Sequence, residues 1–161
     1  MKSEQQAEAD VRVTMSFYAA DLRAVSELRR RLRERDETLR LDRARALRGL
    51  LHATPQVDLL AYAVIQYRED AAKPGPREAE LVEERFTVVL HGADLKKLDE
   101  VVDDLDAQGI RMNRSYVVRG LLRSMPAVEV LAPAFKRYLA AFPDGRTLRH
   151  RRPKTSPGKR K

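Results

Sequence analysis

Residues 11–17 alternate. Val11, Val13, Met15 and Phe17 are apolar, and Arg12, Thr14 and Ser16 between them are polar. A period of two places each set on its own face of a β-strand. The spacing then changes. Leu22, Val25, Leu28 and Leu32 recur every three or four residues, which predicts an amphipathic helix with Asp21 in its first turn, where negative charge is favourable. A second helical run carries Ala46, Leu47, Leu50 and Leu51. Asp42 is placed to cap its start, and Pro55 ends it. The stretch "VDLLAYAVIQY" reads as a third, amphipathic helix.

The whole sequence of patterns then returns. Phe86, Val88 and Leu90 alternate with Arg85, Thr87 and Val89. Leu95, Leu98, Val101 and Leu105 follow Asp94 at helical spacing, and Gly109 supplies a C-terminal stop. Val117, Val118, Leu121 and Leu122 follow Asn113, and Pro126 precedes "VEVLAPAFKRYLAAF". The residues themselves repeat as well. "RVTMSFYAADLRAV" at 12–25 matches "RFTVVLHGADLKKL" at 85–98, and "RGLL" occurs at 48–51 and 119–122. The offset is 73 residues at the start and 71 from Arg40 and Arg111 onward, so the first copy has two extra residues near "RERDET". Gly49 and Gly120 lie inside the second helices, where each costs about 1 kcal/mol against Ala. A closely approaching helix backbone would account for both.

A strand of this length cannot stand alone. Neither copy contains a second one, so the strand of the sister copy is the expected partner. The fold expected is α+β and mostly helical. Two repeats, 11–68 and 84–144, would form an intramolecular pseudo-dimer with one two-stranded antiparallel ribbon and an extra short helix per repeat. Residues 1–10 are expected to be a disordered N-terminus, 69–83 a linker, and 145–161 a disordered tail.

Charge sharpens this picture. The formal net charge is +8. Residues 145–161 hold eight Lys or Arg and no acid, which leaves 24 residues of each sign in the rest of the chain. Arg146, Arg149, Arg151, Arg152 and Lys154 are the core of this basic arm, suited to neutralising phosphates. There is no cysteine, so disulfides and thiolate metal sites are excluded. His52, His91 and His150 are scattered, and neither a phosphate-binding glycine loop nor a nucleophile arrangement is present. No cofactor, metal or enzymatic activity is expected. No apolar run is long enough to span a membrane. The polar start "MKSEQQAEAD" does not read as a secretory signal. A soluble, cytoplasmic, nucleoid-associated protein is expected.

The strand motif Arg-x-Thr, followed by a second helix opening with "NRSYVVRGLL", resembles the ribbon-helix-helix (MetJ/Arc-type) family of DNA-binding proteins. The family works as a homodimer, and this chain looks like both halves in one polypeptide. That tandem arrangement is similar to ribbon-helix-helix accessories of conjugative DNA transfer. The resemblance implies that the outer face of the ribbon enters the major groove of double-stranded DNA. The base-contacting set would then be Arg12, Thr14 and Ser16 from one strand and Arg85, Thr87 and Val89 from the other. Arg can bind guanine bidentately, Ser and Thr can donate or accept, and Thr and Val offer methyl groups to thymine. Phosphate contacts are expected at the N-termini of the second helices, from Arg43, Ala44 and Arg45 and from Asn113, Arg114 and Ser115. Because Ser16 aligns with Val89 and Met15 with Val88, an imperfectly palindromic target is expected. A transcriptional regulator is the first expectation. An accessory of conjugative transfer or plasmid maintenance, partnered by a DNA-transfer or segregation protein, is the alternative, and an antitoxin is less favoured. Tyr62, Tyr67, Tyr138 and Phe142 in the third helices read either as core or as a patch through which copies associate along DNA.

Overall fold

The computed structural model describes residues 10–73 and 83–143. The chain runs β1 (Val11–Tyr18), α1 (Ala19–Arg35), α2 (Arg43–Ala53), α3 (Gln56–Ala72), β2 (Glu83–Leu90), α4 (Gly92–Ala107), α5 (Arg114–Ser124) and α6 (Val128–Ala141). It is α+β and mostly helical, with one two-stranded antiparallel sheet made of β1 and β2. The register pairs Thr14 with Thr87, Val13 with Val88 and Met15 with Phe86. The alternation in the sequence is the cause of the burial pattern. Val13, Met15, Phe17, Val88 and Leu90 are buried, while Arg12, Thr14, Arg85 and Thr87 are exposed. Burying each such apolar side chain is worth roughly 1.5–3 kcal/mol.

The helices continue that core. Val25, Leu28 and Leu32 of α1 and Leu98, Val101 and Leu105 of α4 are buried at the spacing of their periodic runs. Asp42 and Asn113 cap α2 and α5 by accepting from the N–H of Arg45 and Tyr116, at 2.8 and 2.9 Å. Helix α4 ends in a Schellman turn. Gly109 is left-handed at φ 83°, the N–H of Ile110 donates to Leu105 O, and that of Gly109 donates to Asp106 O.

Packing crosses between the first and second parts of the chain. Helix α3 lies on α5 and α4, α6 lies on α2 and α1, α2 contacts β2, and α5 contacts β1. One hydrophobic cluster draws residues from all eight elements. Both mid-helix glycines sit at close approaches, of two kinds. A Cβ on Gly120 would lie 3.2 Å from Tyr62 O and 3.3 Å from Ala63 Cα, so the backbone of α3 comes close, as expected. A Cβ on Gly49 would instead meet the Phe135 ring of α6, not a backbone, at 2.4 Å.

Two boundaries differ from the sequence expectation. Helix α3 extends to Ala72, four residues into the stretch read as linker. "REDAA" contains good helix formers, and the helix stops at Lys73, ahead of Pro74, because the residue before proline disfavours the α conformation. Asp10, assigned to a disordered N-terminus, is buried, with Oδ1 3.2 Å from His91 Nδ1. Residues 1–9, 74–82 and 144–161, with the basic arm from Arg146 to Lys154, lie outside the described residues. Among the described residues, no helix is long and apolar enough to cross a membrane.

Candidate nucleic-acid interface

The outer face of the ribbon is a ladder of side-chain pairs. In order they are Arg12–Val89, Thr14–Thr87, Ser16–Arg85 and Tyr18–Glu83. The two threonine hydroxyls lie 3.1 Å apart at its centre. Arg12 and Arg85 stand two residues to either side of that centre, on opposite strands. At about 3.4 Å per residue they are roughly 14 Å apart along the ribbon. Ser16 and Val89 are half-buried, so the exposed members of the expected base-contacting set are Arg12, Thr14, Arg85 and Thr87.

The second helices are tied to the strands by direct bonds, α5 at its first turn and α2 at its middle. The N–H of Ser16 donates to Ser115 Oγ at 2.9 Å, which ties β1 to the first turn of α5. A hydroxyl has one donor and two acceptor sites, so Ser115 keeps its own O–H to donate. Arg48 Nη1 donates to Val89 O at 3.4 Å and ties α2 to β2. The cap side chains satisfy the N–H groups of Arg45 and Tyr116. The amides of Arg43 and Ala44, and of Arg114 and Ser115, precede these in the first turns, where a helix has no acceptor of its own to offer.

The side chains expected at phosphate are engaged in different ways. Arg114 grips Asp99 with Nε and Nη2, at 2.6 and 3.0 Å, and this bidentate bond raises its pKa above the ordinary guanidinium value. Arg43 lies 3.6 Å from the exposed Glu84. Arg45 donates to Pro143 O at 2.5 Å, so its guanidinium is held by the segment after α6. Asn113 serves as the cap of α5 through Oδ1. Of the groups expected at phosphate, Arg43 and Arg114 are thus each paired with an acid, Glu84 and Asp99.

Sequence reasoning missed the polar cluster behind the ribbon. Asp21, fully buried, accepts from the N–H of Tyr18 at 2.9 Å, from Arg119 Nε at 3.1 Å and from Arg123 Nε at 3.3 Å. The Arg119 guanidinium also lies 4.3 Å from the centroid of the Tyr18 ring. Asp94, at the matching place in the second copy, has Oδ2 2.9 Å from His52 Nδ1 and Oδ1 3.5 Å from Lys97 Nζ. Burial pulls the Lys97 pKa down, partly offset by Asp94. The available signal was an Arg in the apolar phase of both second helices, Arg48 and Arg119. A cation at such a position needs a buried acceptor.

The third-helix aromatics do not form one exposed patch. Tyr138 is buried with its hydroxyl 3.0 Å from His91 Nε2, and Phe142 stacks on His91 at 4.1 Å between centroids. Tyr62 is half-buried, and Tyr67 alone of the four is exposed. No protein-family model, curated protein or solved structure matches the chain, so the chemistry of this face stands on the geometry of its own residues.

Proposed function

We propose that this is a sequence-specific double-stranded DNA-binding protein of the ribbon-helix-helix type, with both halves of the pseudo-dimer in one chain. The outer face of the ribbon reads the major groove, and the first turns of α2 and α5 hold phosphates on either side. The observation that carries the proposal is the strand register. It centres on Thr14 and Thr87, buries Val13, Met15, Phe17, Val88 and Leu90 while leaving Val11 exposed, and turns Arg12 and Arg85 outward about equally far from the centre. A two-stranded ribbon fits the major groove, and paired arginines are suited to guanine O6 and N7. Their separation of roughly 14 Å corresponds to about four base-pair steps. Because Arg12 faces Val89 while Arg85 faces Ser16, the favoured site is an imperfect palindrome. Transcriptional regulation is the role this reading fits first.

Selection from random duplexes tests it. The expected result is enrichment of a short site with two guanine-rich positions about four base pairs apart. Arg12→Ala and Arg85→Ala should each weaken binding to that site about 10- to 100-fold, from roughly 1–3 kcal/mol per bidentate contact. Absence of any enriched sequence, or wild-type affinity in the double variant, overturns the proposal.

A further inference from the structure

Helices α1 and α4 occupy equivalent places in the two copies and carry opposite charge. In α1 there are six arginines against Asp21, Glu27 and Glu34; in α4 there are six carboxylates against Lys96 and Lys97. The inversion is position by position. At the 73-residue offset that superposes buried Leu32 on buried Leu105, Arg30 corresponds to Asp103, Arg31 to Asp104 and Arg33 to Asp106. All six residues are exposed. Part of the charge is compensated within each helix or its flank. Arg30 pairs with Glu27 and Glu34, Arg31 with Glu27 at 2.9 Å, and Asp106 lies 3.5 Å from Arg111. Arg33, Asp103 and Asp104 form no ion pair among the described residues.

We infer that the α1 face of one molecule docks on the α4 face of a second copy of this chain. Two like faces would set arginine against arginine or aspartate against aspartate, so the contact forms only between unlike faces. Each molecule has one face of each kind, which makes the contact heterologous and head-to-tail. Repeated from copy to copy, such a contact gives an open row, or a ring where the rotation closes. Exposed ion pairs are individually weak and are screened by salt, so the assembly is concentration- and salt-dependent. The inference uses no property of DNA and stands whether or not the ribbon binds a duplex.

The test is sedimentation velocity of the full-length chain at low and high salt, with charge reversals that leave the buried residues alone. The wild type should self-associate at about 20 mM salt and sediment as a monomer at about 500 mM. Arg30→Glu/Arg33→Glu, with two acidic faces, and Asp103→Lys/Asp106→Lys, with two basic faces, should each remain monomeric at low salt. An equimolar mixture of the two should associate, and far-UV circular dichroism of each alone should match the wild type and show both to be folded. A full-length variant with the tail cations changed to Gln separates the occupants. Retained association assigns the contact to α1, whereas loss assigns the acidic face to the basic arm and overturns the inference. A monomeric wild type at low salt, or a mixture that fails to associate, overturns it as well.

Discussion

Asp21 shows how a single side chain joins the two parts of the chain. It receives hydrogen bonds from Tyr18, three residues before it, and from Arg119 and Arg123, 98 and 102 residues away. The two arginine side chains are only 14% and 19% exposed. Removing a buried carboxylate from such a group leaves positive charge that water reaches poorly, at a cost of about 3–5 kcal/mol. Asp21→Ala should therefore lower stability by about that much in urea denaturation. Asp21→Asn keeps an acceptor oxygen and most of the volume, and it should cost less. A loss below about 1 kcal/mol in the alanine variant would mean that the cluster is not structural. The position of Asp21 in a first turn was legible from its local sequence. Its partners were not, because a pattern read along one helix does not report which residue of another helix faces it.

At the scale of elements, the periods of two and 3.6 located both strands and the first two helices of each copy, whereas the extra helices, expected to be short, run 17 residues in α3 and 14 in α6. The glycines pointed to close approaches without saying what approaches. In α5 it is the backbone of α3 at Tyr62 and Ala63, and in α2 it is the Phe135 ring of α6. The third helices differ in sequence, and Val64 stands in the repeat where Phe135 stands in the other copy. One glycine thus faces a ring and the other faces main chain. Gly49→Ala would gain about 1 kcal/mol of helix propensity. It would also push a methyl group to within 2.4 Å of a fully buried ring, and overpacking of that kind costs about 1–3 kcal/mol. A net loss of up to about 2 kcal/mol is expected. In the double variant Gly49→Ala/Phe135→Leu the two losses should fall short of their sum by at least ~0.5 kcal/mol, since the smaller side chain makes room. Strict additivity in a denaturation cycle would contradict the contact.

For the whole molecule, the crossing of α3 and α6 onto the opposite parts of the chain has a thermodynamic consequence. Neither part has a core without the other, so unfolding should be one cooperative transition. Because both parts belong to one chain, its midpoint should not depend on protein concentration at a salt level where copies do not associate. A biphasic melt, with one part surviving the loss of the other, would contradict this packing.

Titratable groups at contacts between the two parts of the chain should shape the alkaline limb of stability in opposite directions. Tyr116 of α5 donates to Asp70 of α3 at 2.6 Å, and burial, followed by that bond, raises its pKa above the ordinary tyrosine value of 10. A raised folded-state pKa means that its contribution is complete below about pH 10 and is lost as pH climbs toward the folded value. Lys97 of α4 donates to Leu51 O and Thr54 O at the end of α2, at 2.6 and 2.8 Å, and burial lowers its pKa. The unfolded chain then binds the proton more tightly, so this group alone makes stability rise with pH in the window below its ordinary 10.5. Tyr138, also raised by burial, adds to the falling side. The wild type should therefore hold its stability to about pH 10 and lose it beyond. Tyr116→Phe should begin about 1 kcal/mol less stable at neutral pH, from the lost hydrogen bond, and fall less steeply above pH 10. Urea midpoints from pH 8 to 11.5 decide the matter: parallel curves for variant and wild type would remove Tyr116 from the alkaline transition and, with it, the coupling between α3 and α5 through that proton.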